Sequence, residues 1–129
     1  MILVIDDDNA IRTSLSLLLK HAGYEVKAVS MPKEAMEIIR SYTPRLILMD
    51  MNFSLSTDGM EGLTLLKQVK LFLPDTPVIL MTAWGSIELA VQGMQAGAFD
   101  FITKPWQNIL LMQRIETALK LTEKKEELI

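Results

Sequence analysis

Three consecutive carboxylates, Asp6, Asp7 and Asp8, follow directly after the short apolar run Ile2–Ile5. Two carboxylates held about 4 Å apart repel each other by roughly 4 kcal/mol at an effective dielectric constant near 20. An ordinary hydrogen bond returns only about 0.5–1.5 kcal/mol, so a positive group is expected among these acids. Asp8 is better explained as the N-cap of a following helix, a role that Asn9 could also fill.

Polar residues also follow three of the other apolar runs, namely Asp50, Thr82 and the pair Lys104–Pro105. Carboxylate oxygens suit a hard dication such as Mg²⁺, which also takes phosphate oxygens as ligands. A lysine and a threonine hydroxyl are suited to hold the oxygens of a phosphoryl group. In this chemistry Asp50 would be the nucleophile and would form an acyl phosphate.

Short β-rich runs alternate along the chain with amphipathic segments. The predicted strands are Ile2–Ile5, Tyr24–Val29, Leu46–Met49, Val78–Met81 and Phe99–Ile102. The predicted helices are Asn9–Ala22 (ended by Gly23), a segment that runs to Ser41 from the N-cap Ser30, Met60–Leu73, Ser86–Gln95 and Gln107–Lys125.

This alternation favours right-handed crossovers and therefore a parallel sheet. We predict an α/β, flavodoxin-like, doubly wound five-stranded sheet of order 2-1-3-4-5, with five helices in a three-layer αβα sandwich. In that order the loops after the first and third strands are neighbours at the carboxyl edge of the sheet. Asp6, Asp7 and Asp50 are then expected to meet in one pocket.

Composition limits the functions that this chain can have. Its 129 residues are half apolar and fit one globular domain. No apolar run reaches the roughly 18 residues of a membrane span, and no basic segment precedes the first strand, so neither a span nor a secretion signal is expected. The net charge of −3 argues against direct nucleic-acid binding. The absence of cysteine excludes disulfides and thiolate metal sites and fits a cytoplasmic location.

The polar residues, in this order and spacing, resemble the receiver domain of two-component response regulators over essentially the whole chain. The matching pieces are Asp6–Asp7, Asp50, Thr82–Ala83 and Lys104–Pro105. The stretch from Met81 to Pro105 most resembles receivers of the NtrC class, which regulate enhancer-dependent transcription. The resemblance implies a phosphorylation-driven switch whose chemistry is confined to gaining and losing its own phosphoryl group, and not an enzyme acting on other substrates.

Particular site roles follow from this resemblance. Asp50 would be the phosphoacceptor, charged by a sensor histidine kinase or by a small acyl phosphate. Asp7 and Asp50 would bind Mg²⁺ directly, with Mn²⁺ as a substitute, and Asp6 would act largely through water. The main-chain carbonyl of Asn52 would supply a further metal ligand.

The phosphoryl group and the switch are assigned to the later strands. Thr82, Ala83 and Lys104 would bind the phosphoryl oxygens, and the bond from Lys104 to Pro105 is expected to be cis. Thr82 would turn inward on phosphorylation and Phe101 would follow into the vacated space. Phe101 is explained equally well as an ordinary packing aromatic. The face formed by the fourth helix, the fifth strand and the fifth helix would then change its affinity for partners.

We expect a receiver domain over residues 1–122 and a charged helical extension over 123–129 that begins a linker. The resemblance to the NtrC class implies downstream ATPase and DNA-binding domains, although a stand-alone receiver fits the same sequence equally well. It also implies a homodimer through the face of the fourth helix, fifth strand and fifth helix. The chain departs from the receiver pattern at Phe53–Ser54, where an apolar residue and a proline are usual, and in the long connection Asn52–Gly59. Trp84 is large for its place, and we expect it to slow hydrolysis by shielding the site.

Two other classes use related residues. A Mg²⁺-dependent aspartyl-phosphate phosphohydrolase needs a second acid two positions after the nucleophile to protonate the leaving group, and this chain has Asn52 there. A flavodoxin-type cofactor carrier would need a Ser/Thr/Gly-rich phosphate loop after the first strand, where this chain has three anions.

Overall fold

Five strands and five helices alternate without exception along the part of the chain that the structure, a computed structural model, describes: residues 1–52, 60–83 and 86–127. The strands are β1 (Ile2–Ile5), β2 (Val26–Val29), β3 (Leu46–Asp50), β4 (Val78–Ala83) and β5 (Asp100–Lys104). The helices are α1 (Asn9–His21), α2 (Pro32–Ser41), α3 (Met60–Phe72), α4 (Ile87–Gln95) and α5 (Asn108–Glu127).

The strands form one sheet in the order β2-β1-β3-β4-β5, and every neighbouring pair is parallel. This confirms the predicted fold class and strand order. Ile5 pairs with Met49, and Asp50 pairs with Met81 one position later. The ends of β1, β3 and β4 therefore stand side by side, and the residues that follow them share one edge of the sheet.

Two apolar clusters lie on opposite faces of this sheet and make the three layers. One cluster joins alternate strand residues to α1 and α5, through Leu15, Leu19, Leu111 and Ile115. The other joins the remaining strand residues to α2, α3 and α4, through Ile39, Leu66, Val69 and Leu89. Because both faces are covered, all five residues of β3 are buried.

The ends of α1 agree with the sequence signals. Asp8 is the N-cap, and its carboxylate accepts a hydrogen bond from the N–H of Ala10 at 2.8 Å. Gly23 lies just beyond the helix with φ at 97°, the left-handed conformation that glycine adopts without strain. The cap fixes where α1 begins, immediately behind the acids that follow β1.

The predicted starts of β2 and α2 are wrong, and β5, α4 and α5 each begin one residue later than predicted. Strand β2 begins at Val26 and not at Tyr24, because the N–H of Tyr24 still bonds to the carbonyl of Leu19 in α1 at 3.0 Å. Ser30 is not the N-cap of α2. Helix α2 begins at Pro32, so Met31 is the N-cap and makes no side-chain cap bond, while the Ser30 hydroxyl donates to Glu34.

The last three strands run further than predicted, so that Asp50, Thr82 and Lys104 belong to the strands and do not merely follow them. Backbone bonding continues past Asp50, where the N–H of Met51 donates to the carbonyl of Met81 at 3.0 Å. The candidate side chains are therefore held by the sheet itself. Among the described helices, none combines the length and the apolar character needed to cross a bilayer.

Candidate functional site

Three acids meet at the carboxyl edge of the sheet. Asp6 and Asp7 follow β1, and Asp50 is the last residue of β3. Each contributes a carboxylate oxygen to a group in which all of the oxygens lie within 4.8 Å of one another. The structure therefore brings together the acids that the strand order was expected to join.

Lys104, the last residue of β5, is the cation that accompanies them. Its Nζ donates to Oδ2 of Asp6 at 2.8 Å and lies 3.3 Å from Oδ1 of Asp50. The side chains of Asp6 and Asp50 are 0% and 1% exposed, whereas Lys104 retains 22%. The three carboxylates and the Lys104 ammonium carry a formal charge of −2 between them, so the acids outnumber the cation that contacts them directly.

Asp6 is held by donors on several sides. Its Oδ1 accepts from the N–H of Asp8 at 2.9 Å, its Oδ2 accepts from Lys104, and its main-chain carbonyl accepts from Nη1 of Arg12 at 2.8 Å. Arg12 was not among the residues predicted for the site. Its signal is only its place one turn into the helix, where a long side chain can reach back over the N-terminus.

Burial and charge shift the pKa values of two groups in the pocket. Burial raises the pKa of the Asp50 carboxyl above its usual value, and Asp6 raises it further, against the opposing effects of the Asn52 N–H and Lys104. For Lys104, burial lowers the pKa, but its contacts with Asp6 and Asp50 outweigh burial and raise the pKa above its usual value. The positive charge around Asp50 is therefore too small to offset its burial, whereas Lys104 stays protonated.

The end of β4 places two further groups at this edge. Thr82 is 0% exposed, and in the described part of the chain its buried Oγ1 has no hydrogen-bond partner. Next to it, the N–H of Ala83 donates to Oδ1 of Asn52 at 2.9 Å. The N–H of Asn52 in turn donates to Oδ1 of Asp50 at 3.0 Å. The resemblance implied the main-chain carbonyl of Asn52 as a metal ligand and gave no role to its side chain.

Strand β5 carries the remaining candidates. The Lys104–Pro105 peptide bond is cis. Phe101 is partly buried against the apolar cluster of α2, α3 and α4. Its N–H donates to Oδ1 of Asp100, whose Oδ2 accepts from Arg114 in α5 at 2.6 Å. This packing is compatible with either interpretation of Phe101.

Two features noted in the sequence, Trp84 and the connection over residues 53–59, lie outside the described residues. Beyond that connection, Gly62 in α3 packs directly on the chain that leaves β3. A Cβ at Gly62 would lie 2.8 Å from the Cα of Met51, so a larger residue would push against the segment that carries Asp50.

An open, largely apolar groove of about 480 Å³ adjoins the pocket. It runs between the start of α1 and the β5–α5 connection, and its lining includes Ile11, Ala83, Pro105 and Trp106. Lys104 belongs to both the groove and the acid pocket. Lys104 is therefore the residue through which the groove adjoins the buried acids.

The chain matches the family model for the response regulator receiver domain over residues 2–116. The transcriptional regulatory protein ZraR of Escherichia coli K12 is 36% identical over 118 residues, and the DNA-binding transcriptional regulator NtrC of the same strain is 38% identical over 116 residues. These matches cover 92% and 90% of this chain but only 26% and 24% of the relatives. The chain thus spans about a quarter of their length.

Solved structures agree with these sequence matches. The receiver domain of NtrX from Brucella abortus has a TM-score of 0.87 at 34% identity, covering 93% of this chain and 98% of that chain. A CheY-like response regulator receiver domain protein from Methanospirillum hungatei JF-1 has a TM-score of 0.87 at 32% identity, covering 96% of both chains. With its acids, lysine and threonine gathered at one edge of the same fold, the chain belongs to the response regulator receiver domain family.

Proposed function

We propose that this receiver domain accepts a phosphoryl group on Asp50 in a Mg²⁺-dependent reaction and that phosphorylation switches the face formed by α4, β5 and α5. The observation that carries the proposal is the buried Asp50 carboxylate, grouped with two other acids and contacted by Lys104. A carboxylate nucleophile, neutralising cations and fixed positions are the main requirements of phosphoryl transfer.

The transfer needs one bond to form and one to break. A carboxylate oxygen of Asp50 attacks phosphorus and forms the acyl phosphate. The bond from phosphorus to the donor breaks, and the donor atom, an imidazole nitrogen of a phosphohistidine or an oxygen of an acyl phosphate, keeps the electron pair. Lys104 lies 3.3 Å from the acceptor carboxylate and offsets the charge gathered on the phosphoryl oxygens.

The donor set supports a magnesium site. Asp7, Asp50 and the carbonyl of Asn52 would hold the ion directly. Asp6 fits a role through water, because its two carboxylate oxygens already accept from Asp8 N–H and Lys104. Held by these residues, Mg²⁺ would supply positive charge to neutralise the reacting phosphoryl group.

Thr82 and Ala83 supply the groups that would sense the phosphoryl oxygens. The buried Thr82 hydroxyl has no acceptor among the described residues, and a phosphoryl oxygen would provide one. An inward turn of Thr82 would free space for Phe101 on β5. The neighbouring surface of α4 exposes Ile87, Val91 and Met94, apolar side chains suited to a partner or to a second copy of this chain.

The wider context of this domain is proposed from its relatives. Receiver domains pair with histidine kinases, and the names of ZraR and NtrC describe regulators of transcription. We propose a sensor histidine kinase as the donor, and ATPase and DNA-binding domains in the full-length protein as the output, all in the cytoplasm. Residues 1–122 would form the receiver and 123–129 the start of the linker.

The phosphohydrolase alternative has no support in the pocket. The position two residues after Asp50 is Asn52, an amide that cannot protonate a leaving group, and its Oδ1 accepts from Ala83. Among the described residues, the position at which such a phosphohydrolase carries its second acid is therefore an amide, and the site is suited to holding a phosphoryl group on the protein.

Labelling with acetyl phosphate and Mg²⁺ tests the proposed function. We expect one acid-stable, base-labile phosphoryl group on the wild type by intact mass, and none on Asp50→Asn. Asp75→Asn, at an exposed aspartate on the opposite edge of the sheet, is the matched control and should label like the wild type. Label that persists in Asp50→Asn, or turnover of added phosphomonoesters, would contradict the proposal.

A further inference from the structure

We propose that the side chain of Asn52 is a place-holder for a phosphoryl oxygen. In the unphosphorylated protein, Oδ1 of Asn52 accepts the hydrogen bond of the Ala83 N–H. This bond must break before the Ala83 N–H can donate to a phosphoryl oxygen. This inference rests on the proposed function, because it assigns a competitor to one of the phosphoryl-binding groups named there.

The geometry places Asn52 between the acceptor and the donor. Its main-chain N–H bonds to Oδ1 of Asp50 at 3.0 Å, and its side-chain Oδ1 bonds to the N–H of Ala83 at 2.9 Å. One residue therefore spans from the end of β3 to the end of β4. The Ala83 N–H therefore already donates to an oxygen while Asp50 carries no phosphoryl group.

The two neighbouring donors at the end of β4, the Thr82 hydroxyl and the Ala83 N–H, therefore differ in whether they already have a hydrogen-bond partner. The Thr82 hydroxyl has no partner among the described residues, so a new acceptor for it replaces nothing. The Ala83 N–H is satisfied, so its bond to a phosphoryl oxygen is an exchange. The gain in that exchange is the difference between a charged acceptor and the neutral amide oxygen, since charge-assisted hydrogen bonds are roughly twice as strong.

Asn52 therefore biases the domain towards its resting state. It holds the end of β4 against the end of β3 without the phosphoryl group, and it lowers the net gain when the group arrives. Removing the side-chain oxygen takes away the partner that the Ala83 N–H has among the described residues, and exchangeable water would take its place. The affinity for a phosphoryl mimic should then rise by about two- to tenfold, the change in an equilibrium constant that one ordinary hydrogen bond makes.

Beryllofluoride with Mg²⁺ is the probe, and ¹H–¹⁵N spectra of the whole chain give the readout. Asn52→Ala should shift the Ala83 amide resonance and speed its hydrogen exchange before any probe is added, which a purely structural role at a distance would not do. The variant should then bind the probe about two- to tenfold more tightly than the wild type. Asn108→Ala, the same truncation at an exposed asparagine that begins α5, should match the wild type in both measurements.

The outcomes separate this inference from the proposed function. A wild type that binds the probe with the same or higher affinity than Asn52→Ala overturns the place-holder and leaves the proposed function intact. An Ala83 amide that is unchanged in the variant also overturns it. A wild type with no probe bound at Asp50 overturns both. If Asn52→Ala does not fold, Asn52→Leu replaces the amide by an apolar group of nearly the same shape, offers no acceptor to the Ala83 N–H and carries the same expectations.

Discussion

At the carboxyl edge of the sheet the protein buries Asp6, Asp50 and Thr82, whereas at the amino edge the described residues bury one polar side chain, Thr76. Thr76 is fully engaged, because its hydroxyl donates to the carbonyl of Pro44 at 3.4 Å and its own carbonyl accepts from Lys70 at 2.9 Å. At the carboxyl edge, by contrast, acids crowd together and the Thr82 hydroxyl has no described partner.

This difference suggests that the amino edge of the sheet serves stability and the carboxyl edge serves function. The amino edge satisfies its buried groups and so contributes to folding. The carboxyl edge holds carboxylates close together and a buried hydroxyl with no partner in the described part of the chain, and both features lower the free energy of unfolding. Such an arrangement is typical of a site that is completed by a ligand.

The largest expected contrast is between the two lysines. Lys104→Met leaves Asp6 and Asp50 buried without their cation and should lower the free energy of unfolding by about 3 kcal/mol or more. Lys70→Met removes a hydrogen bond to a carbonyl and should cost about 1 kcal/mol. Urea unfolding in metal-free buffer measures both. Equal losses would show that the two edges do not differ in this way.

Magnesium should act on one edge only. At a concentration one hundred times its dissociation constant, Mg²⁺ should raise the free energy of unfolding of the wild type by about 2.7 kcal/mol. Asp7→Asn should lose most of this gain, and Asp75→Asn at the amino edge should keep it. Thermal unfolding with and without Mg²⁺ is the measurement, and a full gain in Asp7→Asn would remove Asp7 from the metal site.

Asp50→Asn should stabilise the metal-free protein at neutral pH, because it removes a buried carboxylate that lies beside Asp6. The pKa of Asp50 in the folded protein is raised above its ordinary value of 3.8. At a pH between 3.8 and this raised pKa, the folded state therefore binds more protons than the unfolded state. Wild-type stability therefore falls as pH rises through this window. The advantage of Asp50→Asn should disappear below pH 3.8, and a gain that grows towards acid would contradict the sign.

The smallest contrast uses the two buried threonines. Thr82→Val removes a hydroxyl that has no described partner and should raise the free energy of unfolding by about 1 kcal/mol. Thr76→Val leaves the carbonyl of Pro44 without its donor and should lower it by about 1 kcal/mol. Chemical unfolding of both variants is the measurement. If both lose a similar amount of free energy of unfolding, the Thr82 hydroxyl has a hydrogen-bond partner in solution.

Much of the fold could be predicted from local signals in the sequence. The alternation of strands and helices, the cap at Asp8 and the helix stop at Gly23 each depend on residues within a few positions of one another. The start of β2 and the N-cap of α2 could not be placed as well, because backbone bonds of Tyr24 and the position of Pro32 overrode the periodicity. The helix and strand types were correct where a long apolar pattern supported them.

The sequence by itself determined which reactive side chains the protein carries. Through the predicted strand order, it also determined that Asp6, Asp7 and Asp50 would share the carboxyl edge of the sheet. Only the tertiary structure decided how these groups are used: Lys104 on Asp6, Arg12 on a carbonyl, and the Asn52 amide on Ala83. The physical reason is that periodicity reports the direction of a side chain from its own backbone. A hydrogen bond instead requires two atoms from distant segments to lie within about 3 Å, and packing alone fixes that distance.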